Sequence, residues 1–220
     1  MRLRREAIVR AALKLVDQVG LEGLTLRLIA DELGVRAPAL YWHVKNKQEL
    51  LDEMATVVLG DLYHQVRPQR PGETWVEWMA DFARKLRRTL LSYRDGARMC
   101  AGTYVADPRL VEAEEIWLRV LIDAGFSVQD AVGGGWTVYN FVIGHTIEEQ
   151  AVAPRPGELN EQYSQERLQE HHNPDRYPLA AEASRYTFDP DSAEERFEHG
   201  LRLILTGMRL SLLGQHNAHA

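Results

Sequence analysis

The tightest constraint on this chain lies between Thr25 and Lys47, TLRLIADELGVRAPALYWHVKNK, where helix-forming and helix-stopping residues alternate at short intervals. Thr25 is a good N-cap, because its hydroxyl can accept from an otherwise unpaired helix N–H. Leu26, Ile29, Ala30 and Leu33 recur at helical spacing and make one apolar face. Gly34 follows where a helix can end in a left-handed residue without a Cβ penalty, and Pro38 stands where a new helix starts without wasting an N–H. With Leu40 turned into a small core, Arg36, Ala37, Ala39, Tyr41 and His43 face outward. Asn46, with Glu49 three positions on, reads as a capping box opening a further helix, which sets Lys45 and Lys47 beside a positive helix terminus suited to a phosphate oxygen. Two short helices around a glycine turn, followed by a cationic helix start, make a helix-turn-helix.

Such a hairpin with a solvated basic rim also occurs in proteins that never touch nucleic acid. The charge distribution is consistent with a DNA partner. The chain is acidic overall, at −6 with a pI near 5.8, yet residues 1–47 hold nine Lys and Arg against five Asp and Glu, and the remainder holds 17 against 27. A basic head on an acidic body attracts phosphate at one end and repels it elsewhere. The arginines at 2, 4, 5 and 10 also suit a membrane surface, but Ala7, Ile8, Ala11, Leu15 and Val19 form a modest stripe better matched to packing on the helical head.

A length of 220 residues with 45% hydrophobic content allows one large or two small domains around a sizeable core. Cys100 is the single cysteine, so no intrachain disulfide framework exists. No apolar run approaches a membrane span, and the amphipathic N-terminus is unlike a secretory signal, so the expected location is cytoplasmic.

Nearly every segment reads as helix and no period-2 pattern persists, so the expected fold is all-α. The expected helices after the first, closed by Gly20, and the helix-turn-helix pair run from Asn46 to about Val66, from near Thr74 to about Ser92, and from about 108 to 124, this last closed by Gly125. Ser127 and Asp130 form a capping box for a long helix through Gln150. Its Gly133, Gly134 and Gly135 cost on the order of 1 kcal/mol each relative to alanine, which calls for a packing benefit such as close approach of another helix. Residues 153–191 read as a long connection with a short helix around 158–170. The last helix starts after Ser192 and carries Phe197, Leu201, Ile204, Leu205, Met208 and Leu212 on one stripe. The glycine-containing helix and the last helix either fill the core of one subunit or pair two subunits.

The run from Ala30 to Leu51, AxxLGVxxPxLYWHVKNKxxLL, resembles the DNA-binding domain of TetR-family repressors, and YWHVKNK is similar to the tetracycline-repressor branch. The resemblance continues in GETWVEWM at 72–79, LLSYRDGARMCAGT at 90–103 and GFSVQDAV at 125–132. It implies a helix-turn-helix domain over residues 1–47, a ligand-binding and dimerisation domain over 48–220, and a homodimer paired through a four-helix bundle. One unit reads a half-site and the two-fold pair reads two on one duplex face. The short second helix of the motif would lie in the major groove, with Arg36, Tyr41 and His43 on bases or backbone and Ala37, Pro38 and Ala39 in close approach. Thr25, Arg27, Lys45 and Lys47 would hold phosphates. Ala37 and Ala39 replace polar reading residues of the family, which alters the expected operator and leaves the docking mode.

Relatives of this type bind drug and magnesium in the C-terminal domain. Where they carry a metal-ligating histidine this chain has Cys100, and a thiol is a poor ligand for hard magnesium. Phe82 stands for the family's drug-bonding asparagine, Leu86 for an aromatic one turn later, and Trp117 for a glutamine on the following helix. Tyr63 or His64 takes the place of another drug-bonding histidine, while Thr103 and Glu148 match. The implied pocket suits a flat aromatic or apolar ligand among Phe82, Trp117, Trp136 and Tyr139, with Tyr63 and Glu148 at its edges, and no cofactor or resident metal. His145 and Glu148, one turn apart, read more simply as a surface hydrogen bond than as metal ligands. There is no GxSxG, phosphate loop, HExxH or cysteine cluster, so an enzyme is not expected. The expected function is a repressor released from a palindromic double-stranded operator by a small molecule other than tetracycline. The alternative is a non-sensing architectural DNA binder, which leaves about 170 aromatic-rich residues without a role.

Overall fold

The computed structural model describes residues 3–105, 107–155, 157–164, 166–168 and 172–218, with side chains described through Leu213. They form an all-α fold with no sheet among the described residues.

The head is built from α1 (Arg5–Gly23), α2 (Leu26–Glu32) and α3 (Ala37–Leu40). Ile8, Val9, Ala12, Leu15 and Val16 of α1 are buried with Ile29, Ala30, Leu40 and Val44, so a wider stripe than the expected one supplies the head core, and Val19 stays 42% exposed. Gly20 interrupts α1 where the sequence places its stop. It breaks the helix at φ 72° and ψ 170°, and one more turn follows to Gly23. Thr25 Oγ1 accepts from Leu28 N at 3.1 Å, as its capping role requires. Gly34, at φ 64°, closes α2 with the paired bonds of a Schellman turn, Val35 N to Ala30 O at 3.0 Å and Gly34 N to Asp31 O at 3.1 Å.

From the head, α4 (Lys47–Tyr63) crosses into the body and buries Leu50, Met54, Ala55, Val58, Leu59 and Leu62. Asn46 Oδ1 accepts from Glu49 N at 2.8 Å, while the Glu49 carboxylate takes Lys45 N at 2.7 Å, so the reciprocal half of the box is displaced by one residue. The body continues through α5 (Trp75–Leu91), α6 (Gly96–Cys100), α7 (Pro108–Asp123) and α8 (Val128–Val152). Thr74 and Glu77 close a complete capping box on α5, and Ser127 Oγ accepts from Asp130 N at 3.1 Å to start α8.

Past α8 the chain makes a 3-10 turn at Glu161–Tyr163 and helical backbone at 166–168, then α9 (Pro178–Thr187), which the sequence reading left inside a connection. The expected helix at 158–170 is therefore broken, and its residues 165, 169 and 170 lie outside the described set. The last helix, α10, spans Ala193–Ala218. Its stripe turns inward: Phe197, Leu201, Leu205 and Leu212 are buried in the protomer's own core. Two members of the glycine run explain themselves there. A Cβ on Gly134 would sit 2.4 Å from Met208 of α10, and one on Gly135 would sit 2.7 Å from the Trp117 ring of α7.

Three polar links hold the layers in register. Buried Arg87 of α5 places its guanidinium on Glu149 of α8 at 2.8 and 2.7 Å, bonds to Glu194 of α10, and lies 4.8 Å over the Phe197 ring. Gln150 accepts from Ala97 N at 3.0 Å and donates to Tyr93 O at 2.7 Å, stapling the turn before α6 to α8. Asp95, in the left-handed region at φ 55°, accepts from Leu21 N at 2.7 Å and ties head to body next to the Gly20 break.

Candidate functional site

The outward surface of the head carries Thr25, Arg27, Arg36, Pro38, Tyr41, Lys45 and Lys47, all exposed, with Ala37, Ala39 and His43 half-buried. The short α3 explains this geometry: Leu40 is fully buried and anchors the turn, so its neighbours are held rigidly toward solvent. Beyond α3 the chain stays tightly coiled through bonds from His43 N and Val44 N to Leu40 O at 2.8 and 2.9 Å. Lys47 is not free at a helix start: its Nζ donates to Leu21 O at 3.2 Å and seals the end of α1. Trp42, absent from the sequence-derived set, is 88% exposed beside Tyr41, itself 54% exposed. A large indole left in water on a basic rim was the signal that could have selected it.

In the body, a cavity of about 300 Å³ opens between four helices and a loop. Its wall takes Leu62 and Tyr63 from α4, Met79, Phe82 and Leu86 from α5, and Thr103, Tyr104 and Val105 from the loop after α6. Leu110, Ala113, Glu114 and Trp117 come from α7, and Gly135, Trp136 and Tyr139 from α8. Seven sequence-derived residues thus converge: Tyr63, Phe82, Leu86, Thr103, Trp117, Trp136 and Tyr139. His64 and Glu148 are exposed and do not line the cavity, because each lies next to the residue its helix turns inward. Cys100 is 1% exposed in the core behind the wall, where its carbonyl accepts from Thr103 Oγ1 at 2.8 Å. The residues missed on α7 follow a readable period, since positions 110, 113, 114 and 117 share one helical face.

Burial dominates the electrostatics of this site. It pushes the Tyr63 phenol well above its ordinary range, the Tyr139 phenol up to about 12 and the Cys100 thiol up to about 12, so all three are neutral at physiological pH. Trp136 packs edge-on to Tyr139 at 5.5 Å, and Phe82 stacks on Trp78 at 5.8 Å, which fixes the rings that form the wall. The donors do not fit a magnesium chelate. The thiol is buried, protonated and soft, and among the described residues no three His, Cys, Asp or Glu side chains are grouped to hold a metal ion. His145 faces Glu149 at 4.0 Å, half-buried between Phe141 and Phe197, instead of meeting the exposed Glu148.

The cavity is wired to the helix that carries the head. Tyr104 N donates to Asp52 Oδ1 of α4 at 3.1 Å. The Arg109 and Asp107 pair sits over Gly60 of α4, where a Cβ would fall 2.6 Å from Arg109 Nη2.

This pairing of an N-terminal helix-turn-helix with a helical, cavity-bearing body defines a class of DNA-binding regulators, and comparison with known proteins places the chain within it. Residues 8–54 match the family of bacterial regulatory proteins, tetR family, and residues 67–212 match the tetracyclin repressor-like C-terminal domain. The tetracycline repressor protein class C of Escherichia coli is 41% identical over 207 residues, covering 94% of this chain and 91% of its own. A possible TetR family transcriptional regulator from Streptomyces coelicolor A3(2) is 35% identical with a TM-score of 0.82, over 94% of this chain and 100% of its own. The Streptomyces coelicolor TetR family protein ActR, solved in complex with actinorhodin, is 27% identical with a TM-score of 0.77, over 96% and 99% of the two chains. The chain belongs to the TetR family, as a ligand-responsive DNA-binding regulator with a tetracycline-repressor-like C-terminal domain. No described helix is long and apolar enough to cross a membrane.

Proposed function

We propose that this protein is a homodimeric, cytoplasmic transcriptional repressor that leaves a palindromic operator when a small aromatic or apolar molecule other than tetracycline fills the body cavity. The observation that carries the reading is the convergence of Tyr63, Phe82, Leu86, Thr103, Trp117, Trp136 and Tyr139 on one cavity that shares a wall with α4. Residues 1–47 act as the DNA-binding domain and 48–220 as the ligand-binding and dimerisation domain. On the head, Arg36, Tyr41 and His43 read the major groove with Ala37, Pro38 and Ala39 in close approach, and Thr25, Arg27, Lys45 and Lys47 hold phosphates. His64, Cys100 and Glu148 stand outside the wall.

Support for the dimer comes from what the protomer leaves uncovered. With the inner stripe of α10 used at home, Leu203, Leu210 and Leu213 on its outer side are exposed, as are Val128, Val132 and Trp136 along α8. Exposed apolar rows at helical spacing on adjacent helices suit a bundle with a second copy. The likeness to ActR, solved in complex with actinorhodin, supports a ligand-binding role.

Release is then a population shift. A ligand pressing on Leu62, Tyr63 and the Thr103–Val105 loop favours one orientation of α4, and with it one spacing of the two heads. Selection of binding sites from a random duplex pool by the purified protein tests the reading. Enrichment of an inverted repeat bound by two chains is the expected result, and enrichment of no sequence would return the protein to the architectural class.

A further inference from the structure

The cavity wall is uneven in a way that bears on the charge of its ligand. Six of its residues are aromatic: Tyr63, Phe82, Tyr104, Trp117, Trp136 and Tyr139. Among the described residues, Glu114 is the one charged residue of the lining, and no lysine, arginine or histidine lines the cavity. Glu114 lies on the inward face of α7, one turn before Trp117, and its side chain is solvent-exposed, which sets the carboxylate at the open end. No ion pair to Glu114 exists among the described residues, although neighbouring Glu115 is paired with Arg119 at 2.9 Å. The negative faces of aromatic rings attract cations, and a carboxylate without a counter-charge does the same. An anionic ligand would meet the opposite: like charge at the mouth and no donor cation inside. The phenols of Tyr63 and Tyr139 stay neutral through burial and offer hydrogen bonds without adding charge. Residues 48–220 carry the chain's acidic excess, 27 Asp and Glu against 17 Lys and Arg, which further enriches cations near the opening.

We propose that the cavity selects planar aromatic cations, with the ring system held among the six aromatic side chains and the positive group drawn to Glu114. This rests on the reading of the cavity as the ligand site and adds the charge of the ligand to it. The exposed carboxylate contributes chiefly through selectivity, because its attraction is partly screened by salt.

The test is calorimetric titration of the full-length protein, without DNA and at neutral pH, with three flat tricyclic probes of similar size: 9-aminoacridine as cation, acridine as neutral ring and anthracene-9-carboxylate as anion. The expected order is cation, neutral, anion, with the cation bound about tenfold or more tighter than the anion. Glu114→Gln is expected to remove most of that preference while leaving the neutral probe unchanged. The double variant Phe82→Ala with Trp117→Ala is expected to weaken the cation and neutral probes together. Binding of all three with no charge preference, or a preference untouched by Glu114→Gln, would overturn the charge assignment and leave the cavity reading standing. No binding of any probe to folded protein would overturn both.

Discussion

Asp52 Oδ1 accepts the backbone N–H of Tyr104 at 3.1 Å, and through this bond the helix that follows the helix-turn-helix head is tied to the wall of the body cavity. The same oxygen accepts from Gln48 Nε2 at 2.9 Å, one turn closer to the head. A ligand that moves the Thr103–Val105 loop therefore pulls on α4 near its start, where a small rotation displaces the head most. Asp52→Ala is expected to leave ligand and operator affinities within about twofold when each is measured alone, and to reduce the coupling between them by about 1 kcal/mol. Operator titrations with and without ligand measure that difference, and an unchanged coupling would remove this bond from the route.

Gly135 faces Trp117 so closely that an added methyl must displace the indole. The ring's free direction is the cavity of about 300 Å³. Gly135→Ala is expected to cost about 1–3 kcal/mol or less in stability and to weaken ligand binding through lost volume. Thermal denaturation combined with ligand titration separates the two effects. Wild-type ligand affinity would show that the indole relaxes elsewhere.

Arg87 and Glu149 are both largely buried, and each satisfies the other. Removing the cation alone strands a buried carboxylate, so Arg87→Leu is expected to destabilise the fold by about 3–5 kcal/mol, and adding Glu149→Leu to restore part of that loss. Urea denaturation of the two variants checks it. Equal stability of the single variant and the parent would mean that the Glu149 carboxylate does not depend on the guanidinium for its compensation.

Acid should weaken the fold in two steps. Burial holds His145 below its ordinary value of 6.5, against the opposing pull of Glu149 and with further lowering by Arg87 and Arg196. The folded state therefore favours the neutral ring: its stabilising share is full above about 6.5 and is lost as pH falls from there through the lowered value. Glu198, held below its ordinary 4.5 mainly by its bond to Arg84, keeps its share above 4.5 and loses it only as pH falls further. Denaturant midpoints should thus begin to drop as pH falls below about 6.5, and His145→Gln should flatten that first step alone. A first step that survives His145→Gln would assign it to another group.

Much of this architecture was legible because its signals are local. Thr25, Gly34, Asn46, Thr74, Gly125 and Ser127 each mark a helix end by their own backbone or side-chain chemistry, and the structure uses every one of them. The helix α6 was not legible. Its five residues have no period to display, and it is held by contacts from afar, chiefly Gln150 on Ala97 N and Asp95 in a left-handed conformation. Averaging over a polar stretch of nearly forty residues hid α9, a ten-residue helix that starts at Pro178. At the cavity, aromatic residues on inward faces could be named in advance, while His64 falls one residue past the lining Tyr63, and Cys100 and Glu148 have no neighbour in sequence on the wall. Glu114 shares α7 with Glu112 and Glu115, and only its place on the cavity wall distinguishes it from them.

The most direct measurement is nuclease footprinting of the full-length protein on the DNA flanking its own gene at fixed salt, repeated with Tyr41→Ala. The expected result is a protected inverted repeat with half-site centres about one helical turn apart, or a multiple of it, and loss of that protection in a variant that is still folded and dimeric. Protection that Tyr41→Ala leaves intact, or only diffuse and salt-sensitive binding by the parent at any sequence tested, would contradict it.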